Sequence, residues 1–147
     1  IRRIEGGILG NLTDIDTTMT PFEAGLAPFI NMDKGDFIGR DALVGKDTRT
    51  CLFGITCTTD TPAAGSLVMD GDKVVGRVTA GVPSPTLGLG VGYVIFKSPG
   101  NWVDRKLSMY LPNGSTHESH IVDLPFFDRE KNIVRGVDKT IPERPKN

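Results

Sequence analysis

The stretch Gly76–Phe96, Gly-Arg-Val-Thr-Ala-Gly-Val-Pro-Ser-Pro-Thr-Leu-Gly-Leu-Gly-Val-Gly-Tyr-Val-Ile-Phe, leaves this chain few folds to choose from. Val74, Val75, Val78 and Thr79 are β-branched and favour a strand. Gly81-Val82-Pro83-Ser84-Pro85 is expected to end it, because two prolines withhold ladder donors. A second β-rich run extends from Leu87 to Phe96. Gly88, Gly90 and Gly92 alternate within it, so on a strand they share one bare face that another backbone or a bulky side chain can approach closely. Gly88-Leu89-Gly90 opens no helix, which excludes a dinucleotide-binding loop. The stretch is architecture and not a catalytic centre.

A chain of 147 residues can hold one domain with a real core, or one domain and a fragment of another. A net charge of −1 and 7% aromatic residues argue against a nucleic-acid partner, whose footprint is a basic patch with stacking rings. No apolar run approaches the ~18 residues of a membrane span, so no membrane partner is expected. No signal peptide is visible, and the start at Ile1 rather than Met reads as a piece of something longer. Cys51 and Cys57 on one strand would stand ~20 Å apart, outside disulfide reach. Buried thiols in a reducing, cytoplasmic compartment are the simplest account. Asn11-Leu12-Thr13 and Asn113-Gly114-Ser115 match the glycosylation pattern, with no secretory signal to support them.

Along the chain, Arg3 and Glu5 are two apart, so an extended segment points both one way with Ile4 opposite. Such a pair suits a polar ligand, and equally a surface ion pair of little energetic worth. Asp14 and Asp16 sit among threonines in an expected solvated loop, too few oxygens for a calcium cage. Thr20-Pro21-Phe22-Glu23 carries a capping-box signal for a short helix limited by Gly25 and Pro28. Asp36 or Gly39 opens a second short helix through Leu43, with Phe37, Ile38, Ala42 and Leu43 as its apolar contacts.

From Arg49 the texture changes to short strands: Leu52–Cys57, a hairpin of Leu67–Met69 with Val74–Thr79 around Asp70-Gly71, then Lys106–Leu111 and Ser115–Leu124. Their even punctuation predicts a small barrel or sandwich. His117 and His120 are three apart, which on a strand sends them to opposite faces, so no metal site is expected. Neither a nucleophile elbow nor a phosphate loop appears.

The ordered series of motifs resembles one family. Arg3-Ile4-Glu5-Gly6-Gly7, Thr20-Pro21-Phe22-Glu23-Ala24-Gly25-Leu26 and Asp36-Phe37-Ile38-Gly39-Arg40-Asp41-Ala42-Leu43 resemble the tetrahydrofolate-dependent aminomethyltransferases, which include the glycine cleavage system T-protein and related folate-dependent demethylases. Gly76-Arg77-Val78-Thr79-Ala80-Gly81, Ser84-Pro85-Thr86-Leu87 and Pro125-Phe126-Phe127 continue the match in order across roughly residues 1–130.

The resemblance implies an α+β chain: a short helical segment ending a folate-binding middle domain (1–48), a mainly antiparallel β-barrel domain (49–136) and a Pro- and charge-rich tail (137–147). It implies tetrahydrofolate as cofactor, with a small amine or methyl donor as the other partner, glycine cleavage and demethylation both open. Arg3 is the carried-over ligand of the folate glutamate tail, since a guanidinium grips a carboxylate through two parallel hydrogen bonds. Glu5 is expected to orient Arg3 or close the strand end. Arg129 and Lys131 follow the Pro-Phe pair as further tail candidates, where the local sequence departs from the family. The family's catalytic aspartate and pterin-reading glutamate both lie upstream, so no catalytic residue is expected here and the isolated chain should not turn over. Missing N-terminal domains are then partners, and an apolar face among Ile4, Ile8, Leu9, Leu26 and Phe29 should drive self-association. Two alternatives stand beside this: a non-catalytic barrel or interaction module, and the folate-domain end of a flavin-dependent methylamine-type oxidase.

Overall fold

The computed structural model describes residues 1–140; positions 141–147 of the expected tail lie outside the described residues. Three short helical turns precede six strands: α1 (Arg2–Glu5), a 3₁₀ turn (Ala27–Phe29), α2 (Arg40–Leu43), β1 (Leu52–Cys57), β2 (Leu67–Asp70), β3 (Lys73–Ser84), β4 (Leu89–Phe96), β5 (Lys106–Tyr110) and β6 (Thr116–Val122). The strands close into an antiparallel barrel in the order β1-β4-β3-β2-β5-β6, with β1 pairing β6 to seal it. Closure removes the exposed strand edges that a six-strand open sheet would carry.

Strand alternation sets the core. On β5, Leu107 and Met109 point inward while Lys106, Ser108 and Tyr110 face solvent. The interior is filled by Phe53, Ile55, Val68, Val94, Phe96 and Ile121 among others. Trp102 closes one side by stacking on Phe96 at 4.0 Å between ring centroids.

β4 is buried on both faces. Val94 and Phe96 join the barrel interior, whereas Val91 and Tyr93 join a second cluster with Ile4 of α1, flanked by Leu9 and Phe126. The N-terminal segment therefore packs on the outer face of β3 and β4.

The glycine–proline break does not end β3, which runs on through Gly81, Val82 and Pro83 to Ser84, with Pro83 opposite Gly90. The pairing of β3 with β2 stops at Arg77. Beyond that point β3 has one strand neighbour, so alternate residues have no ladder partner to serve and a proline is tolerated. Gly90 and Gly92 do share a bare face, and the Asp60–Pro62 loop packs against it: a β-carbon on Gly92 would stand 3.0 Å from Pro62 Cβ. Gly88 lies outside the strand, in a turn at φ +69° with open space around it.

The N-terminal third differs from its sequence pattern in three places. Arg2–Glu5 is helical, not extended: Glu5 N–H bonds the Ile1 carbonyl and Gly6 N–H the Arg2 carbonyl. The Thr20–Glu23 capping box forms in both directions (Thr20 N to Glu23 Oε2 2.7 Å, Glu23 N to Thr20 Oγ1 3.2 Å), but it closes only a turn before Gly25 bends to φ +75°. The second helix is the single turn α2, so Ile38 falls before it and is fully exposed instead of packed.

Candidate functional site

The 1–15 segment meets the barrel around Asp14. This carboxylate is 1% exposed, not solvated as its threonine-rich neighbourhood suggests. The Leu12 N–H to Ile15 carbonyl bond and the Asp14 N–H to Gly10 carbonyl bond curl the loop and turn the side chain inward. Asp14 Oδ2 accepts from Arg3 Nη1 at 2.7 Å and from Gly10 N–H at 2.7 Å, and Oδ1 accepts from Thr79 Oγ1 at 2.6 Å. Burying a carboxylate is costly unless donors of this kind surround it.

Thr79 reaches Asp14 because the β3–β4 register slips between Val78 and Ala80, leaving Thr79 as the extra residue of a β-bulge. A bulge re-aims a side chain that plain alternation would send elsewhere. Gly10 matters for a different reason: a β-carbon there would stand 2.7 Å from Arg3 Nη1.

Arg3 is presented by α1 with its side chain 40% exposed. Its Nη1 is spent on Asp14 and on the Ile8 carbonyl at 3.2 Å, while Nε and Nη2 have no hydrogen-bond partner among the described residues. The guanidinium stands 5.8 Å from the centroid of the Tyr93 ring. The Tyr93 hydroxyl lies 3.1, 3.2 and 3.1 Å from the carbonyls of Arg3, Ile4 and Ile8, whose oxygens it can serve as donor. Burial pushes that phenol up to about 12, with Arg3 opposing the shift and Asp14 adding to it.

Glu5 points the other way. Its carboxylate is buried and accepts a hydrogen bond from Ser84 Oγ at 2.5 Å, at the end of β3, and not from Arg3. Its carbonyl accepts from the N–H groups of Phe126 and Phe127 at 3.1 and 3.2 Å. The segment that carries Arg129 and Lys131 is thus tied to the helix that carries Arg3 and Glu5. Arg129 lines an open cleft of about 480 Å³ floored by Leu87, Leu89 and Phe126, with Asp123 Oδ2 3.5 Å from its Nη2. Neither Arg3 nor Lys131 lines that cleft. Lys131 sits in a turn at φ +54°, its N–H on the Asp128 carbonyl.

His117 and His120 occupy opposite faces of β6. The His117 ring nitrogens are engaged with Thr59 Oγ1 at 2.8 Å and Ser115 Oγ at 2.9 Å. Among the described residues no group of three or more potential ligands could hold a metal ion, and no helix is long and apolar enough to cross a membrane. Both cysteines are free and buried. The sequence singled out Arg3 as a candidate but not the burial of Asp14 or its bond to Thr79; the Gly10–Asp14 spacing offers no signal of burial, and bulges are silent in a β-branched run.

The family model for the glycine cleavage T-protein C-terminal barrel domain matches residues 51–128. The aminomethyltransferase of Streptomyces coelicolor is 33% identical over 138 residues, covering 88% of this chain and 37% of that protein. The Streptomyces avermitilis aminomethyltransferase is 35% identical over 144 residues, with the same two shares of 88% and 37%. The crystal structure of glycine cleavage system aminomethyltransferase T from Bartonella henselae superposes with a TM-score of 0.72 at 25% identity, covering 86% of this chain and 37% of that one. The chain therefore spans a little over a third of the length of these relatives.

Proposed function

Since the chain belongs to the glycine cleavage T-protein family through its C-terminal barrel domain, we propose that it is the C-terminal portion of a tetrahydrofolate-dependent aminomethyltransferase and forms one wall of the folate cavity. Residues 1–48 end the folate-binding middle domain and residues 49–136 form the barrel domain, while the tail expected at 137–147 lies mostly outside the described residues. The upstream part supplies the catalytic groups, packs on the exposed apolar side chains of residues 1–48, and contacts the small amine or methyl donor. Two free, buried cysteines favour a reducing cytoplasmic compartment.

Tetrahydrofolate, when bound, accepts the one-carbon unit. This chain's residues bind and orient it. The observation that carries the reading is Arg3, whose Nη1 is fixed on Asp14 while the Nε–Nη2 edge is unpaired and the side chain is 40% exposed. That edge can form the two parallel hydrogen bonds a carboxylate accepts. Because Asp14 neutralises part of the charge, recognition rests on fork geometry more than on long-range attraction. Glu5 acts as a clasp between α1 and β3, and Arg129 and Lys131 are the secondary tail contacts.

Charge-assisted bonds of this kind are worth ~1.5–3 kcal/mol, so Arg3→Ala should weaken tetrahydrofolate binding roughly 10- to 150-fold. Arg3→Lys should recover part of the loss. Titration calorimetry on the chain in its full-length protein, with tetrahydrofolate and an analogue lacking the glutamate, tests this. Equal affinity of Arg3→Ala and wild type for tetrahydrofolate would overturn the ligand role.

A further inference from the structure

We propose that Asp14 is a positioning residue for Arg3, and that the barrel takes part in tail recognition through the relay Thr79–Asp14–Arg3. The inference rests on the reading that Arg3 meets a ligand carboxylate. Three features carry it.

The ion pair is lopsided. The Asp14 side chain is fully buried while that of Arg3 is 40% exposed. An arginine can anchor one nitrogen on a buried carboxylate and keep the rest of its head accessible. The arrangement is that of an anchor with a presented cation.

The contact is also end-on. Arg3 meets Asp14 through Nη1 alone, so the carboxylate takes one nitrogen and leaves the Nε–Nη2 edge whole. Side-on pairing would have consumed that edge, as Arg49 does with Asp47 through both Nε and Nη2. The two geometries in one chain separate a closed ion pair from one that keeps its fork available.

Finally, each Asp14 oxygen has its own task. Oδ2 holds Arg3 and the Gly10 N–H, while Oδ1 holds the hydroxyl of Thr79, delivered from β3 by the bulge. Without the Thr79 bond the carboxylate is held through Oδ2 alone, by Arg3 and the Gly10 N–H, and its plane is less tightly fixed against the Nη1 contact. Together with the Gly10 N–H on Oδ2 and the Ile8 carbonyl on Nη1, the hydroxyl at the bulge thus helps fix the direction in which the guanidinium presents its free edge.

The test measures tail preference, the ratio of affinities for tetrahydrofolate and for its analogue lacking the glutamate, on the chain in its full-length protein. Thermal melting of each variant runs in parallel. Thr79→Val keeps the shape and removes the hydroxyl; it should lower tail preference about 3- to 10-fold while leaving the analogue's affinity unchanged. Thr79→Ser should restore it. Asp14→Asn should lower it further, and Thr79→Val added to Arg3→Ala should change it no more. A loss of stability alone would weaken both ligands equally. If Arg3→Ala abolishes tail preference but Thr79→Val retains it in full, the relay is wrong and the ligand role of Arg3 stands. If Arg3→Ala itself retains tail preference, both fall. Should Asp14→Asn fail to fold, the Thr79 pair decides.

Discussion

The backbone carbonyl of Pro62 occupies the space that a β-carbon on Gly81 would need. Gly90 stands in the same relation to the Asp60 carbonyl, and both contacts are with backbone, which cannot rotate aside as a side chain can. Gly81→Ala and Gly90→Ala should each destabilise the barrel by at least about 3 kcal/mol, at the upper end of overpacking costs. Gly88→Ala has open space and meets only its left-handed backbone, at about 1–2 kcal/mol. Chemical denaturation should rank them in that order; equal losses would show that the Pro62 loop moves freely.

Tyr93 should make stability fall in alkali. Its phenol is held at about 12 in the folded chain against 10 for the ordinary group. Between those values the unfolded chain has released the proton and the folded chain retains it, so folding loses ground as pH rises from about 10 to about 12. The full contribution is roughly 2–3 kcal/mol, present below pH ~10. Tyr93→Phe should remove this slope and, by losing the one hydroxyl proton shared among three carbonyls that each keep another donor, cost about 0.5–1.5 kcal/mol at neutral pH. Denaturation midpoints across the alkaline range check both.

The Glu5–Ser84 bond joins α1 to the end of β3, and Ser84 Oγ also accepts the Leu87 N–H at 3.1 Å. Ser84→Ala therefore loses two bonds and strands a buried carboxylate, an expected cost of about 1.5–3 kcal/mol. Glu5→Gln keeps an acceptor for Ser84 and should cost less. Thermal melts that place Glu5→Gln below Ser84→Ala would contradict the clasp.

Self-association of the isolated chain should depend on Phe29 and Ile38, 84% and 104% exposed, rather than on Ile4, which α1 buries against Tyr93. The double variant Phe29→Lys, Ile38→Lys should shift sedimentation toward monomer and reduce apolar-dye binding. An unchanged sedimentation profile would place the association elsewhere.

Much of the barrel was legible in the chain because strand alternation is local. Lys106–Tyr110 reads as one wet and one dry face and folds so, and Asp70-Gly71 reads as a hairpin and joins β2 to β3. Arg3 was legible as a candidate because its motif is written in consecutive residues. The helical turns were less so: a complete capping box at Thr20–Glu23 forms its hydrogen bonds without a helix to follow, since Gly25 reverses the backbone within the same turn.

Periodicity and turn chemistry, set within a few residues, determined short strands of a small barrel or sandwich behind a short helical segment, and the ordered motifs that resemble the family pointed to the barrel. Tertiary structure alone decided how that segment meets the barrel. Pro83 lies in a strand because β3 has lost its second neighbour there, Thr79 is aimed by a bulge, and the buried Asp14 takes one of its donors from that threonine, 65 residues away. The physical reason is that burial and hydrogen-bond partnership belong to pairs of residues brought together by closure of the sheet. The window around Asp14 holds the partners of its Oδ2 (Arg3 and Gly10), but not the hydroxyl that satisfies Oδ1.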